Sequence, residues 1–450
     1  MDPVAAPMEA IPKGIRYSEV IPKGIKAVPS FVDYLPSNGS TFSDGQVIRI
    51  PIQSYAQLLD TKHSMLSFDA TVNATAADVL TFDAGGHGCI QRLRVLSASN
   101  QELERIDDYA HMVMIASDII RSYGNYISVG GLAEGLSTSS QNNAVAQRSV
   151  TIAAGPTAQT TSFSLPLHIS GVLGCLLSKY LPLPVINNGI ILELTIAPRT
   201  YALRSSTANA VTSFSISNVR YQAALVTPSS DFLDNFRAIV ARSGLVLSTT
   251  SFRNYVQQLS GGTNGTNTVK IVDSLKSVKS FFGSFRRNAI LTNQAGYSIT
   301  SRGRENLSSY FLRINNTPIP TAPVSCTGAL TAANASTGGS APTQAILEVY
   351  KSMARLGDSQ VGFNLTGEVY TADDTTTLVN NQTPKFLIAL DLEAFQGQAV
   401  LSGTSMFSGN TSEIQVVLTG TGGNACQFSG FLLYDMELVI DAVGNLNVNY

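Results

Sequence analysis

Short segments in which apolar and polar residues alternate recur along most of this chain of 450 residues. In the clearest one, Ile190–Ile196, large apolar residues occupy every second position, and residues 47–53 and 65–72 follow the same rule. A period of two is typical of a strand with one buried and one exposed face. The pattern therefore predicts a chain built mainly from short β-strands.

Three segments have counterparts about half a chain length away. Segment 163–174 matches 386–397, the alternating run 192–196 matches 414–418, and the strand around Tyr221 matches the strand around Tyr434. The matches occur in the same order and at nearly the same offset. A repeat of this length indicates two similar domains in tandem, because a solenoid would repeat over far fewer residues.

Three helices interrupt the strand pattern. In the first copy, Ser99 and Glu102 form a capping box, and apolar residues follow at helical spacing as far as Ile119. Residues 343–357 predict a helix at the same place in the second copy, and residues 229–243 a capped helix between the copies. Stretches rich in Gly, Ser, Asn and Thr at 130–143 and 327–341 are predicted to be exposed loops.

These elements predict an all-β fold of two tandem jelly-roll β-sandwich domains with short helices in the loops. The predicted ranges are an extended N-terminal arm at 1–42, a first jelly roll at 43–228, a connecting helix at 229–243 and a second jelly roll at 244–450. The arm carries the motif IPKGI twice and has no core of its own, so it is either disordered or ordered against another surface. Pro318 and Pro320 are expected to end a strand.

Composition narrows the possible functions. Charged residues make up 13% of the chain, about half the usual share, and the net charge is -2. This balance argues against a protein whose main task is holding nucleic acid. The chain also lacks an apolar run long enough for a spanning helix, and its N-terminus does not resemble a secretion signal, so a soluble protein made inside the cell is expected.

Signatures of catalysis are missing from the sequence. We find neither a phosphate-binding loop nor a nucleophile elbow, and the pairs Asp107–Asp108 and Asp373–Asp374 are expected to be solvated. The histidines and cysteines are scattered without metal-ligand spacing, so structural histidines and buried thiols are expected. They are His63, His87, His111, His168, Cys89, Cys175, Cys326 and Cys426. We therefore predict no enzymatic activity, no cofactor, no metal and no small-molecule substrate.

One cluster of charge stands out in the second half. Seven basic residues fall between positions 270 and 304, where the only acid is Asp273. They are Lys270, Lys276, Lys279, Arg286, Arg287, Arg302 and Arg304. Such a cluster could face DNA, a membrane or an acidic neighbour at a subunit interface, and the alternative is a solvated strand face with basic loops.

Residues 178–197 (SKYLPLPVINNGIILELTIA) resemble the end of the first jelly roll in the double jelly-roll major capsid proteins of icosahedral DNA viruses, nearest to those of virophages and polinton-like viruses. Residues 309–320 (SYFLRINNTPIP) resemble an early strand of the second jelly roll in that family, and both halves share the helix described above. The resemblance extends over residues 46–450.

The resemblance implies a virion protein that is made and assembled inside the host cell and that forms homotrimeric, pseudo-hexagonal capsomers of an icosahedral double-stranded DNA virus. Neighbouring capsomers, penton proteins and minor capsid proteins would then be its partners. A spike or lectin-like binding module is the alternative, although the chain has no Trp for a sugar site. A cupin-type enzyme is a third possibility, but four dispersed histidines do not supply its metal cluster.

Overall fold

The structure is a computed structural model, and it describes most of the chain in several stretches. These are residues 25–74, 77–136, 149–152, 158–205, 211–260, 265–291, 295–314, 317–328, 343–353, 365, 367–372, 383–395, 401–406, 413–421 and 424–450. Over these residues, none of the helices is long and apolar enough to cross a membrane.

The first half of the described chain is made of strands with short helices between them. Its strands are β1 (Ala27–Tyr34), β2 (Thr41–Ser43), β3 (Val47–Ile52), β4 (Leu58–Ala74), β5 (Asp78–Phe82), β6 (Ile90–Ser97), β7 (Glu102–Asp107), β8 (Ser149–Ile152), β9 (Gln159–Leu165), β10 (Ile190–Ile196), β11 (Leu203–Ser205) and β12 (Val211–Pro228). Its helices are α1 (Tyr109–Ile120), α2 (Tyr123–Ile127) and α3 (Arg199–Ala202), with a π-helical turn at Gly130–Glu134 and 3-10 turns at Gly85–Cys89 and Leu183–Val185.

Helix α4 (Ser230–Ser243) follows, as predicted, and leads into the second half. The strands of the second half are β13 (Leu245–Leu259), β14 (Gly265–Val272), β15 (Val278–Arg287), β16 (Ser309–Ile314), β17 (Thr317–Ser325), β18 (Ile388–Asp391), β19 (Glu413–Thr421), β20 (Cys426–Ile440) and β21 (Leu446–Asn449). The helices are α5 (Asn288–Leu291), α6 (Thr343–Ser352) and α7 (Gly367–Thr371).

The two halves have the same sheet topology. In the first, one sheet has the order β1-β12-β4-β9 and the facing sheet the order β3-β10-β6-β7; in the second, the orders are β13-β20-β15-β18 and β14-β19-β16-β17. If the eight main strands of each half are numbered along the chain, both halves read 1-8-3-6 in one sheet and 2-7-4-5 in the other. This is the jelly roll, so the predicted double jelly roll is confirmed.

Strand β10 shows why the alternating segments form these sheets. It pairs on one side with β3 and on the other with β6, all antiparallel. Its residues Ile190, Leu192, Leu194 and Ile196 are buried, whereas the residues between them are less so. A period of two places one row of side chains in the core and the other outside. Across the described residues, most buried apolar side chains of both halves join in one contiguous cluster, and a small second cluster includes Ala110, Met114 and Ile299.

The repeat itself is confirmed at two of its three matches. Strands β10 and β19 are both the seventh strand of their jelly roll, and β12 and β20 are both the eighth. The third match joins β9 and β18, both the sixth strand, but its register differs, because Phe163 lies within its strand and Phe386 precedes Ile388–Asp391. Residues 396–400 lie outside the described part of the chain.

The predicted start of the first helix is wrong. Glu102–Asp107 forms strand β7, paired with β6, and α1 begins only at Tyr109. Asn100 has a φ of 64° in the turn between the two strands, and the Glu102 carboxylate accepts a hydrogen bond of 2.8 Å from Arg94 on β6. Cross-strand pairing therefore occupies the groups that would have made the capping box.

Two predictions concern sheet edges. The described part of the predicted arm, from residue 25 onwards, is extended and lies against the chain's own first jelly roll, because β1 pairs with β12 along its whole length and β2 pairs with β12 as well. Pro318 and Pro320 do not end a strand but lie within β17. This strand is at the edge of its sheet, where a residue without an N–H group is tolerated.

The predicted loops fall largely outside the described residues. Where the structure describes the stretch 130–143, the prediction of an exposed loop is wrong, since Gly130, Gly131 and Glu134 of the π-helical turn are buried. Residues 137–148 and 329–342 are outside the described part. So are residues 354–364, which include the last four residues of the helix predicted at 343–357. Helix α6 itself is confirmed, and it follows the fifth strand of its jelly roll, as α1 does.

Candidate functional site: the polar seam between the two jelly rolls

Helix α1 of the first jelly roll lies against the second jelly roll. All of its residues from Tyr109 to Ile119 are buried. His111 contacts the second half with both ring nitrogens: Nδ1 is 2.7 Å from the carbonyl oxygen of Ile299, and Nε2 is 2.7 Å from the Ser284 hydroxyl. Because a carbonyl only accepts, Nδ1 carries the proton and Nε2 accepts from Ser284. Burial and the nearby Arg286 lower the pKa of His111, which favours this neutral form.

A buried ion pair joins the start of α1 to the second jelly roll. The Arg286 guanidinium on β15 donates to the Asp108 carboxylate and, over 2.9 Å, to the Ser429 hydroxyl on β20. The Tyr201 hydroxyl donates to the same carboxylate. Burial alone would raise the pKa of Asp108, but the positive charge of Arg286 holds it below its ordinary value. Asp108 is therefore an ionised anchor for Arg286.

A second ion pair lies near the other end of α1. Asp118 receives hydrogen bonds from Arg302 and, over 2.7 Å, from the Lys385 ammonium. The side chains of Asp118, Arg302 and Lys385 are 2%, 0% and 5% exposed, so water does not screen this triad. A bridge between the backbones of Arg302 and Lys385 holds the two cations side by side.

Two more carboxylates of the first half accept hydrogen bonds from the second. Asp83 accepts from the Ile299 backbone N–H at 2.6 Å and from the Thr300 hydroxyl at 2.7 Å. Glu104 on β7 accepts from the Ser251 hydroxyl on β13 at 2.5 Å. We call these contacts together the seam. Its first-half residues are Asp83, Glu104, Asp108, His111 and Asp118, and its second-half residues are Ser251, Ser284, Arg286, Ile299, Thr300, Arg302 and Lys385.

Glu104 accepts hydrogen bonds from neutral donors, whereas Asp108 and Asp118 bind cations. Besides Ser251, it accepts from the Ser170 hydroxyl and the Gly171 backbone N–H, each at 2.6 Å. Burial raises the pKa of Glu104, and these hydrogen bonds counteract the rise. One carboxylate thus holds together a strand of each jelly roll and the loop at 170–172.

The structure corrects the interpretation of the basic cluster. Arg286, Arg302 and Arg304 are buried, so the prediction that they face DNA, a membrane or solvent is wrong for these three. Two of them do bind carboxylates at an interface, but it is the one within the chain. Their charge requires a partner once water is excluded, and the acids of α1 supply it.

The remaining four members lie elsewhere. Arg287 pairs with Glu305 at 2.9 Å, and Lys279 pairs with Glu393 at 3.0 Å and with Asp435 at 3.3 Å. Lys270 and Lys276 are exposed. The seven residues therefore do not form one surface, and a role for the two exposed lysines stays a prediction.

Sequence reasoning missed the acids of the seam. Asp107 is partly exposed and pairs with Arg92 and Arg105, but Asp108 is not the solvated residue that we expected. The distribution of charge along the sequence nevertheless contains a sign of the seam. Asp108 and Asp118 bracket a largely apolar helical stretch in one half, and the other half has an unmatched basic excess. Opposite charges of this kind in two halves of a chain indicate a contact between them.

A second buried polar cluster lies inside the first jelly roll. Glu134 accepts from Arg121 at 2.9 Å and lies 2.8 Å from Nε2 of His87. Burial alone would raise the pKa of Glu134, but hydrogen bonds from His168 and His87 and the charge of Arg121 hold it well below its ordinary value. Burial lowers the pKa of His87. Within the described residues, no group of three His, Cys, Asp or Glu side chains is placed to hold a metal ion.

Comparison with known proteins supports the fold and gives no sequence relative. No protein-family model matches the chain, and no curated protein matches its sequence. Solved structures, by contrast, match nearly all of it. A chain of the PBCV-1 virus capsid superposes with a TM-score of 0.62 at 9% identity, covering 96% of this chain and 99% of its own.

Two capsid proteins of other viruses give similar values. The Faustovirus major capsid protein has a TM-score of 0.58 at 9% identity, covering 94% of this chain and 92% of its own. The mavirus major capsid protein has a TM-score of 0.52 at 9% identity, covering 100% of this chain and 96% of its own. At such identities the likeness is one of fold. The chain therefore has the double jelly-roll fold of these capsid proteins.

Proposed function

We propose that this chain is the major capsid protein of an icosahedral double-stranded DNA virus, and that three chains form a pseudo-hexagonal capsomer. The observation that carries the proposal is the identical strand order of the two jelly rolls in one chain. Three such chains contribute six similar units to one ring, so a threefold assembly approximates a hexagon and packs in a hexagonal lattice. The capsid proteins of similar fold support the same role.

The seam suits this role because it fixes the two jelly rolls relative to each other. Buried, hydrogen-bonded charge pairs have one favourable geometry, since any displacement leaves a desolvated charge without a partner. A capsomer with hexagonal outline requires the two units of each chain to keep a constant angle. We therefore assign the seam a structural role and no catalytic one.

We also propose a division of the chain into two jelly-roll domains and a connecting helix. The first jelly roll would cover residues 43–228 together with β1, helix 229–243 would connect the two, and the second jelly roll would cover residues 244–450. Neighbouring capsomers, penton proteins and minor capsid proteins are the proposed partners within a virion shell. The exposed Lys270 and Lys276 are the remaining candidates for contact with packaged DNA or an inner membrane.

Exposed apolar side chains suggest where chains meet. Phe31 and Val28 on the edge strand β1 are 78% and 66% exposed. The corresponding first strand of the second jelly roll, β13, exposes Val246 and Val256, and the second strand, β14, exposes Val272. Both jelly rolls thus carry apolar groups at the same edge, as expected of six similar units that pack side by side.

The test is the mass of the purified chain in solution and its response to a charge at this edge. We expect the parent chain to form trimers. Phe31→Asp should raise the dissociation constant of the trimer at least tenfold, because the carboxylate would be desolvated at the contact. Val443→Asp is the matched control, since Val443 is 73% exposed in the turn before β21. A parent chain that stays monomeric at high concentration would contradict the proposal.

A further inference from the structure

A groove of about 610 Å³ runs beside helix α4. Its walls are formed by α4, the first residues of β13, Leu58 on β4 and the loop at 178–182. This loop is fastened to β4, because Leu181 and Leu59 exchange two backbone hydrogen bonds of 2.9 Å. The fold itself therefore shapes the groove.

Aromatic side chains give the groove its chemical character. Phe232 and Phe236 on α4 stack with their ring centroids 5.8 Å apart and their planes 7° from parallel. Tyr180 on the loop is 51% exposed, and Val246 on β13 is 54% exposed. Aromatic-lined grooves bind extended segments that contain proline, because such segments are stiff and lose little conformational entropy on binding.

The chain itself contains a segment of this kind. Residues 21–25 are the second IPKGI unit, in which Ile21 precedes Pro22. Residues 1–24 lie outside the described part of the chain, and Ile25, the first described residue, is 55% exposed. The unit thus combines the apolar and proline side chains that an aromatic-lined groove accepts.

The described chain also starts beside the groove. The carbonyl of Lys26 accepts a hydrogen bond of 3.0 Å from the backbone N–H of Ser229, the N-cap residue of α4. Strand β1 is antiparallel to β12, with Ala27 opposite Pro228, so the residues before Lys26 run on past the start of α4.

The distance to be covered is short. Phe236 lies about two helical turns after Ser229, or about 10 Å along the axis of α4. Five extended residues span about 16 Å. The second unit is therefore long enough to reach both phenylalanines of the groove.

We propose that the groove binds the second IPKGI unit of the same chain, with Pro22 on the stacked phenylalanines and Ile21 beside Tyr180. The first unit, residues 11–15, has the same sequence, so only its longer tether distinguishes it. A short tether gives the second unit the higher effective concentration at the groove, both over the first unit and over a unit of another chain. The binding is independent of the proposed capsid role.

A single tryptophan provides the assay. Since the chain has no Trp, Tyr180→Trp places its only indole in the groove. In this background, Ile21→Asp should shift the emission to longer wavelength and raise the acrylamide quenching constant roughly twofold or more, because a carboxylate would not enter the groove and water would reach the indole. The circular dichroism spectrum should be unchanged.

Ile11→Asp is the matched control, since it makes the same change at the same place in the first unit. It should leave the emission and the quenching constant unchanged. The proposal is wrong if Ile21→Asp changes neither value, or if Ile11→Asp changes them as much.

Photo-cross-linking identifies what occupies the groove. Tyr180→p-benzoylphenylalanine in the full-length chain should give, on irradiation, a product with the mass of one chain. Peptide mapping should join position 180 to residues 20–25. Products that join two chains, or that map only to other parts of the chain, would overturn the proposal. None of these results bears on whether the chain forms trimers.

Discussion

Helices α1 and α6 follow the fifth strand of their respective jelly rolls, yet their surroundings differ. Helix α1 is buried from Tyr109 to Ile119, and Asp108 just before it and Asp118 within it bind cations of the second jelly roll. Helix α6 is amphipathic: it packs on β15, β17 and β18 of its own jelly roll and leaves Leu347 46% exposed. The two copies thus share a topology, but only in the first copy does the helix after the fifth strand join the two jelly rolls.

Substitution of Asp118 should give the largest difference in stability between variants of the two helices. Asp118→Asn leaves Arg302 and Lys385 buried without a negative partner, and we expect a loss of about 3–5 kcal/mol in the free energy of unfolding. Glu348→Gln on α6 is the matched control. It breaks the pair with Lys351, whose side chain is 42% exposed, and should cost less than about 1 kcal/mol. Equal losses in denaturant titrations would refute the difference between the helices.

The next largest loss of stability is expected on β7, where the Glu104 carboxylate faces the seam and the Glu102 carboxylate faces outwards. Glu104→Ala leaves the donors of Ser170, Gly171 and Ser251 without their acceptor, and should cost about 2–4 kcal/mol. Glu102→Ala on the same strand loses only the partly exposed pair with Arg94 and should cost less than about 1 kcal/mol. If thermal unfolding ranked Glu102→Ala as the more damaging change, Glu104 would not join the jelly rolls.

A smaller effect follows from the buried neutral histidines. The folded-state pKa values of His87 and His111 are below the ordinary value, so the unfolded chain binds more protons as the pH falls below about 6.5. As the pH falls from the unfolded-state pKa of each histidine to its folded-state pKa, the free energy of unfolding should drop by up to about 1.4 kcal/mol per pH unit. Above the unfolded-state pKa the histidines should have no such effect. The raised pKa of Glu104 acts in the opposite direction.

A variant isolates the contribution of His111 at the seam. His111→Gln keeps a donor for Ile299 and an acceptor for Ser284 but does not titrate. Between pH 7 and pH 5, its stability should fall less steeply than that of the parent chain. Parallel profiles for the two proteins would contradict a neutral His111 in the fold.

Sequence alone predicted the elements whose side chains follow a local rule. Strand β10 was predicted at its observed bounds because each of its residues faces either core or solvent in strict alternation. Strand β17 and the start of α1 were predicted wrongly for a different reason. Prolines are acceptable in β17 only because it is an edge strand, and Glu102–Asp107 is extended only because β6 lies beside it. Such facts depend on neighbours that are distant in the sequence.

The seam was harder to predict for the same reason. A row of basic residues looks solvent-facing until its partners are known, and the partners of Arg286 and Arg302 are acids about 180 residues away. Burial of a charge is a property of the pair, since neither member would be buried alone. The duplication was visible in the sequence, but the contact between the duplicates was not.

Electron microscopy of the purified oligomer, in projection down its axis, tests the proposed capsomer most directly. Three chains should give class averages with six similar densities in a near-hexagonal ring, each chain contributing an adjacent pair held by the seam. Particles with only threefold lobes, or single chains whose two jelly rolls vary in relative angle, would contradict it.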